Sequence, residues 1–175
     1  MVAPATLDRT GAATSGQVRQ WLTQVMDPEI PVLSIVDLGM VRDVACGGEG
    51  VEVTITPTYS GCPAMLVIES DIRKALSAHG VESVHVAVRL APAWTTDWIT
   101  PEGRAALRKY GIAPPQGRGA TGCGLAALRA PTVAVVCPRC GSRDTALVSE
   151  FASTACKALY RCRACGEPFD YFKPL

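Results

Sequence analysis

Two short cysteine motifs near the C-terminal end constrain the fold of this chain more than any other feature of its sequence. The motifs are CPRCGS at 137–142 and CRACGE at 162–167, and 21 residues lie between Cys140 and Cys162. In each C-x-x-C-G motif a tight turn points two thiolates at one ion, and the glycine permits the backbone conformation of that turn. Four thiolates form the tetrahedral donor set that structural zinc prefers. The sequence therefore predicts one metal ion bound by Cys137, Cys140, Cys162 and Cys165.

The same four thiolates also suit iron, because a rubredoxin-like site uses an identical donor set. Zinc is our prediction, and the spacing alone leaves iron open. The segment between the motifs can form a hairpin that brings them together. A module of 43 residues, 133–175, cannot bury enough apolar surface to fold alone. We therefore expect the metal to supply much of its stability.

Cys156 is a further thiol between the two motifs. It is a candidate auxiliary thiol. It could be a fifth or exchangeable ligand, or a group that contacts the metal ligands without binding the ion. It is equally a small hydrophobic side chain of the kind that cores bury. The sequence does not choose between these interpretations.

Upstream of this module the pattern of apolar residues predicts a compact α/β domain with the element order α-β-β-α-β. A helix with a 3–4 residue apolar repeat begins near Ser15, and Pro28 ends it. Two strand-like runs flank a glycine-rich turn at 46–50, which indicates a hairpin. A second helical pattern and the alternating run 83–90 then give a strand–helix–strand crossover.

Composition sets the domain boundaries. Residues 113–132 are rich in Pro, Gly and Ala and have no stable period, which is typical of a linker, and five of the eight cysteines follow them. We predict a disordered N-terminus at 1–14, an α/β domain at 15–112, a linker at 113–132 and a four-cysteine zinc-ribbon-like module at 133–175.

Charge and hydropathy argue against two classes of partner. The formal net charge is +1 and no basic run stands out, so nucleic-acid binding is not expected. No stretch approaches the ~18 apolar residues of a membrane span, and the first fifteen residues contain no apolar run typical of a signal peptide. We expect a cytoplasmic protein without a membrane partner, in which clustered cysteines bind metal rather than form disulfides.

A lone thiol in the first domain is the second candidate site. In TPTYSGCPAM, at 56–65, Cys62 follows a strand and precedes Pro63. If Pro63 takes the first helical position, Cys62 is the N-cap or lies one residue from it, where the helix dipole favours a thiolate. A reactive or metal-contacting thiol is favoured over a buried structural cysteine. Loop carboxylates that can converge on this thiol, or simply form turns, are Asp27, Glu29 and Asp37.

Two tryptophans mark a candidate partner surface. Trp94 and Trp98 lie four residues apart among polar groups in PAWTTDWITPEG at 92–103. That arrangement is typical of the aromatic anchors of an interface. The alternative, two ordinary core tryptophans, has equal weight on general burial grounds.

Longer motifs resemble known families. DPEIPVLSIVDLGMV at 27–41, with TPTYSGCPAM, resembles the metal–sulfur cluster biosynthesis family, whose bacterial members include SufT. LAPAWTTDWITPEGRAALRKYGIAPP at 90–115 and STACKALYRCRACGEPFDYFK at 153–173 look like the PaaD family, also called PaaJ. These small proteins are encoded with the phenylacetyl-CoA epoxidase of aerobic phenylacetate degradation.

The resemblance implies an accessory role in that epoxidase system, with assembly or repair of an iron–sulfur or di-iron centre rather than catalysis of epoxidation. It makes Cys62 a transient ligand for iron or a cluster, supported by the three loop carboxylates. It implies the oxygenase and reductase components as partners, with an iron–sulfur assembly scaffold as a further candidate. A non-catalytic structural or regulatory subunit is the alternative. A thiol enzyme is disfavoured, because no base or oxyanion arrangement accompanies Cys62 in the sequence.

Overall fold

The structure is a computed structural model that describes residues 13–48, 50–116 and 134–174. The chain divides by internal contacts into two compact units, Met1–Trp94 and Thr95–Leu175. Most of the predicted disordered N-terminus and of the predicted linker lies outside the described residues. None of the helices in the described ranges is long and apolar enough to cross a membrane.

The first unit has the predicted element order. Helix α1 spans Ser15–Trp21 and continues into a 3₁₀ turn, Leu22–Gln24, and strands β1 (Val41–Gly47) and β2 (Gly50–Ile55) form an antiparallel hairpin. Helix α2 (Met65–Ser77) connects β2 to β3 (Val84–Val88), which pairs parallel with β2. Thr14 caps α1, because its hydroxyl accepts the N–H of Gln17. The α-β-β-α-β prediction is confirmed.

The periodicities of these elements explain the core of the first unit. In α2 the residues at four-residue steps, Ile68, Ile72 and Leu76, are fully buried, which defines one apolar face. In β2 the alternating residues Val53 and Ile55 are fully buried. The loop before β1 adds further side chains that are almost completely buried: Ile30, Leu33, Ile35 and Leu38.

The start of α2 differs from the prediction. Ala64 is the N-cap and the helix begins at Met65, so Pro63 is not the first helical residue and Cys62 is not the cap. Two turns come first: the Cys62 N–H donates to the Tyr59 carbonyl (3.2 Å), and the Met65 N–H donates to the Cys62 carbonyl (3.5 Å). The chain completes these turns before α2 begins. The argument for a thiolate at the N-cap position therefore does not hold for Cys62.

The second unit begins with a 3₁₀ turn, Thr96–Trp98, and helix α3, Pro101–Tyr110. Thr100 caps α3 and Pro101 is its first residue; the Thr100 hydroxyl accepts the Gly103 N–H. A three-stranded antiparallel sheet follows, with strands β4 (Thr145–Ser149), β5 (Lys157–Cys162) and β6 (Pro168–Phe172) in sequence order. The predicted hairpin between the two cysteine motifs is β4 and β5.

Helix α3 belongs to the second compact unit, although residues 15–112 were predicted to form one domain. The cause is the short stretch after α3. The Ala113 N–H donates to the Asp170 carbonyl (2.8 Å), and the Phe172 N–H donates to the Ala113 carbonyl (3.0 Å). Ala113 thus pairs with β6 and connects α3 to the sheet.

Candidate functional site

The four predicted metal ligands lie together. The Sγ atoms of Cys137, Cys140, Cys162 and Cys165 all lie within 4.8 Å of one another. The Sγ–Sγ distances are 3.9 Å for Cys137–Cys165 and 3.6 Å for Cys140–Cys162. Zn–S bonds of about 2.3 Å in a tetrahedron place sulfur atoms ~3.8 Å apart. The donor set therefore fits one tetrahedral metal ion. No other group of three or more His, Cys, Asp or Glu ligand atoms in the described ranges is placed to share an ion.

Matching backbone turns aim the thiols. In the first motif the Gly141 N–H donates to the Cys137 carbonyl (3.0 Å), and in the second the Gly166 N–H donates to the Cys162 carbonyl (2.9 Å). The two glycines have φ values of 75° and 81°, in the left-handed region that side chains with a Cβ rarely adopt. The glycine that follows each motif is therefore required by its turn.

Burial divides the four cysteines into two inner and two outer thiols. Cys137 and Cys162 are buried, whereas Cys140 and Cys165 are exposed. The inner pair packs with the apolar core of the second unit, whose other members are Ala113, Val135, Phe169 and Tyr171. The aromatic residues of β6 thus pack beside the metal ligands. The module combines a small core with a metal site, as its size requires.

The thiols also perturb one another. A hydrogen bond from the Cys165 backbone N–H lowers the pKa of Cys162 to about 7. The Ser142 backbone N–H lowers the pKa of Cys140. The hydrogen bonds of the Cys140 thiol with the Cys165 and Cys162 thiols outweigh that effect and raise the pKa of Cys140 to about 12. The cluster without metal therefore retains protons near neutral pH. Metal binding must displace them, because the ligands are thiolates.

Cys62 lies in the turns between the end of β2 and the start of α2, before the helix N-cap, and it is half-buried. Two large apolar side chains follow it closely in the chain and are open to solvent: Leu66 is 79% exposed and Val67 is 47% exposed. Solvent can therefore reach this segment, as a thiol that exchanges a ligand requires. The role of Cys62 as a metal ligand stays a prediction.

The three carboxylates predicted to support Cys62 lie in the loop before β1, where two of them stabilise turns. Asp27 is buried, and its Oδ1 accepts the N–H groups of Glu29 (2.9 Å) and Ile30 (2.8 Å). Asp37 Oδ2 accepts the Ser34 hydroxyl (2.7 Å), and the Ser34 Oγ accepts the Asp37 N–H (2.9 Å). These bonds stabilise the loop. The carboxylates do not form, with Cys62, a group of three or more ligand atoms that could share one ion.

Cys156 is buried just before β5 and is not one of the four clustered ligands. Its Sγ lies 3.0 Å from the Thr154 hydroxyl oxygen. It resembles the buried small side chain that the sequence analysis weighed against an auxiliary thiol. Its influence on iron handling stays a prediction.

The two candidate tryptophans have different environments. Trp94, in the first unit, is only 5% exposed, and its indole Nε1–H donates to the Leu38 carbonyl (2.8 Å). This ring belongs to the core, so its assignment to a partner surface is corrected. The polar residues around Trp94 in the sequence do not indicate this burial, because its hydrogen-bond partner Leu38 lies 56 residues away in the chain. Trp98, in the second unit, is half-buried, and its place in a partner surface stays a prediction.

Sequence reasoning missed two arginines on α3. The Arg104 guanidinium donates to the carbonyls of Pro115 (2.9 Å) and Thr96 (2.5 Å). Arg108 lies one helical turn later, on the same side of α3. The available sequence signal for these arginines was their i,i+4 spacing. That spacing alone does not distinguish a binding site from a helix face that is simply exposed to solvent.

Comparison with known proteins gives matches for both parts of the chain. A family model of the PaaD zinc beta ribbon domain matches residues 124–173. A second family model, described as an iron-sulfur cluster assembly protein, matches residues 16–88. The two matched ranges contain the four-cysteine cluster and Cys62, respectively.

Individual relatives agree with these matches. A protein of Escherichia coli (strain K12) that is named as a component of a 1,2-phenylacetyl-CoA epoxidase is 56% identical over 152 residues, which cover 87% of this chain and 88% of that protein. An Fe-S protein maturation auxiliary factor of Porphyromonas gingivalis (strain ATCC BAA-308 / W83) is 38% identical over 54% of this chain and 90% of its own length.

A solved structure shares the fold of the N-terminal part. The crystal structure of a DUF59 domain of unknown function from Bacillus anthracis is 32% identical, with a TM-score of 0.51, and covers 53% of this chain and 90% of that one. The extended identity to the E. coli protein, together with the zinc beta ribbon match, shows that this chain belongs to the PaaD family, in which an iron–sulfur cluster assembly domain is joined to a zinc β-ribbon.

Proposed function

We propose that this chain is a maturation factor of a phenylacetyl-CoA epoxidase system, which assembles or repairs an iron–sulfur or di-iron centre in that oxygenase. The observation that carries the proposal is the union, in one chain, of an iron–sulfur assembly domain with a ribbon of the PaaD type. The first part relates the chain to Fe-S maturation factors, and the whole relates it to an epoxidase component.

In this proposal the two cysteine sites have different tasks. Cys62 is only half-buried and lies outside the four-cysteine cluster, which suits a ligand that must release its cargo. Iron or a cluster is the cargo, bound by the thiolate because thiolates prefer such ions. The four-cysteine site has two buried ligands within a small core, which suits a permanent structural metal, and zinc fits its donor set.

The partners in this proposal are the oxygenase and reductase components of the epoxidase, with an iron–sulfur scaffold as the source of cargo. The competing function is a non-catalytic subunit that stabilises or regulates the oxygenase without metal transfer. The two functions predict different states of the epoxidase when this chain is missing.

The test is to purify the epoxidase components anaerobically from cells that lack this chain and from cells that contain it. If this chain is a maturation factor, the epoxidase components from cells that lack it are expected to be deficient in iron or cluster. Adding the purified chain without an iron source is then not expected to restore activity. Iron and acid-labile sulfide per component are the measurements. A client with full iron content that regains activity when the chain is added would establish the structural role instead.

Trp98→Ala tests the proposed partner surface, with Trp94→Ala for comparison. Removing the buried Trp94 ring is expected to lower the free energy of unfolding by about 3–5 kcal/mol, because a cavity remains in the core. Removing the half-buried Trp98 ring is expected to cost much less stability but to weaken association with the epoxidase components. Urea denaturation and calorimetric titration measure the two effects. A stability loss at Trp98 as large as that at Trp94 would make Trp98 a core residue.

A further inference from the structure

A cavity of about 500 Å³ lies within the second unit, between α3 and the first cysteine motif. Arg104 and Arg108 of α3 line one side of it, and Pro115, Val136 and Pro138 line others. The cavity falls in the size range of ligand pockets, about 300–1,000 Å³, which combine apolar walls with a few polar groups. It is separate from Cys62, and it touches the metal site only at Cys137.

The positive charge in this cavity has no carboxylate partner among the described residues. Three arginine or lysine side chains of the second unit make ion pairs, Arg139–Glu167, Lys157–Asp170 and Arg163–Asp144, and neither Arg104 nor Arg108 is among them. The excess is general in this unit: residues 95–175 contain eleven Lys or Arg against six Asp or Glu, a net charge of +5. An anionic ligand would complement this charge.

The two arginines differ in what they can still bind. Arg104 already donates to two backbone carbonyls, which fixes its guanidinium against the cavity wall. Arg108 is exposed and makes no side-chain hydrogen bond or ion pair within the described ranges. One guanidinium with its fork of donors matches the two oxygens of one carboxylate. The proline and valine walls are suited to an apolar group attached to that carboxylate.

We propose that this cavity binds a carboxylate that carries an apolar group, with the carboxylate paired to Arg108 and the apolar group packed against Pro115, Val136 and Pro138. Arg104 is a positioning residue, because it holds the segment at Pro115 against α3. A free organic acid and a carboxylate on a peptide segment of a partner protein present the same chemistry. This site is independent of the maturation function proposed for Cys62.

The experiment titrates the zinc-loaded full chain, labelled with ¹⁵N, with three probes: benzoate, the capped peptide acetyl-Glu-Leu-Glu-amide and inorganic phosphate. The amide resonances of Arg108, Gln116 and Val136 are the readout. Benzoate or the peptide is expected to move them, and Arg108→Gln is expected to weaken that binding about tenfold or more, since a charged hydrogen-bonding partner is lost. Arg143→Gln is the control, because Arg143 is exposed, basic and outside the cavity.

The outcomes separate the sources. Shifts with benzoate identify a free organic acid as a ligand, and shifts with the peptide alone identify a partner segment; either supports the site if Arg108→Gln weakens it and Arg143→Gln does not. Equal effects of the two variants, shifts with phosphate alone, or no shift at these amides with either carboxylate would overturn the proposal.

Discussion

Cys140→Ser is expected to remove the metal from the second unit and to unfold its β-ribbon while the first unit stays folded. Cys140 is exposed, so its replacement removes a ligand and leaves the apolar core intact. Structural zinc contributes about 10–16 kcal/mol in zinc-finger peptides, comparable to the about 5–15 kcal/mol that stabilises a whole domain. Metal content per chain and the dispersion of amide resonances from 134–174 and from 13–94 measure the result.

Cys156→Ser is the matched control for this experiment. It also replaces a thiol of the second unit, but Cys156 is buried and lies outside the four-cysteine cluster. It is expected to retain one metal ion per chain and a folded ribbon. The assignment of the four ligands fails if Cys140→Ser keeps its full metal content with an intact ribbon, or if Cys156→Ser loses the metal outright.

Cys62→Ser is expected to fold normally, to keep its zinc and to leave the epoxidase inactive and poor in iron or cluster. Serine is close to cysteine in size, but its hydroxyl does not ionise near neutral pH and is a poor ligand for the ions that thiolates prefer. Because Cys62 is not part of the four-cysteine cluster, its loss removes no structural metal ligand. Activity in cells that lack the wild-type chain, and iron per epoxidase component, are the measurements.

Cys46→Ser serves as the control, since Cys46 is another thiol of the first unit, in β1. Cys46 is exposed, but partial desolvation raises the pKa of its thiol, so this thiol is less ionised near neutral pH than an ordinary cysteine. We expect iodoacetamide to modify Cys62 faster than Cys46 in the folded protein, and Cys46→Ser to support full activity. Full epoxidase activity with Cys62→Ser would show that this thiol is structural and would favour the subunit that transfers no metal.

Local sequence determined much of this fold. Thr14 and Thr100 cap their helices through local contacts, because the capping hydroxyl accepts a backbone N–H three residues away. The metal cluster was equally predictable, because each pair of thiols and its glycine lie within a five-residue motif. The hairpin of β4 and β5 brings the two turns together.

The tertiary structure decided the features that depend on distant residues. Ala113 pairs with Tyr171 of β6, which lies more than fifty residues later in the chain. No local sequence pattern predicts that an alanine after a helix will pair with a strand. Trp94 looked like a surface residue among polar neighbours, but its indole is buried and donates its N–H to the distant Leu38 carbonyl. The start of α2 shifted past Cys62 because two consecutive turns form before the helix begins, and turn geometry outweighed the usual preference for proline at the first helical position. The start of α2 is thus a local difference, whereas the pairing of Ala113 and the burial of Trp94 depended on which distant segments the fold brought into contact.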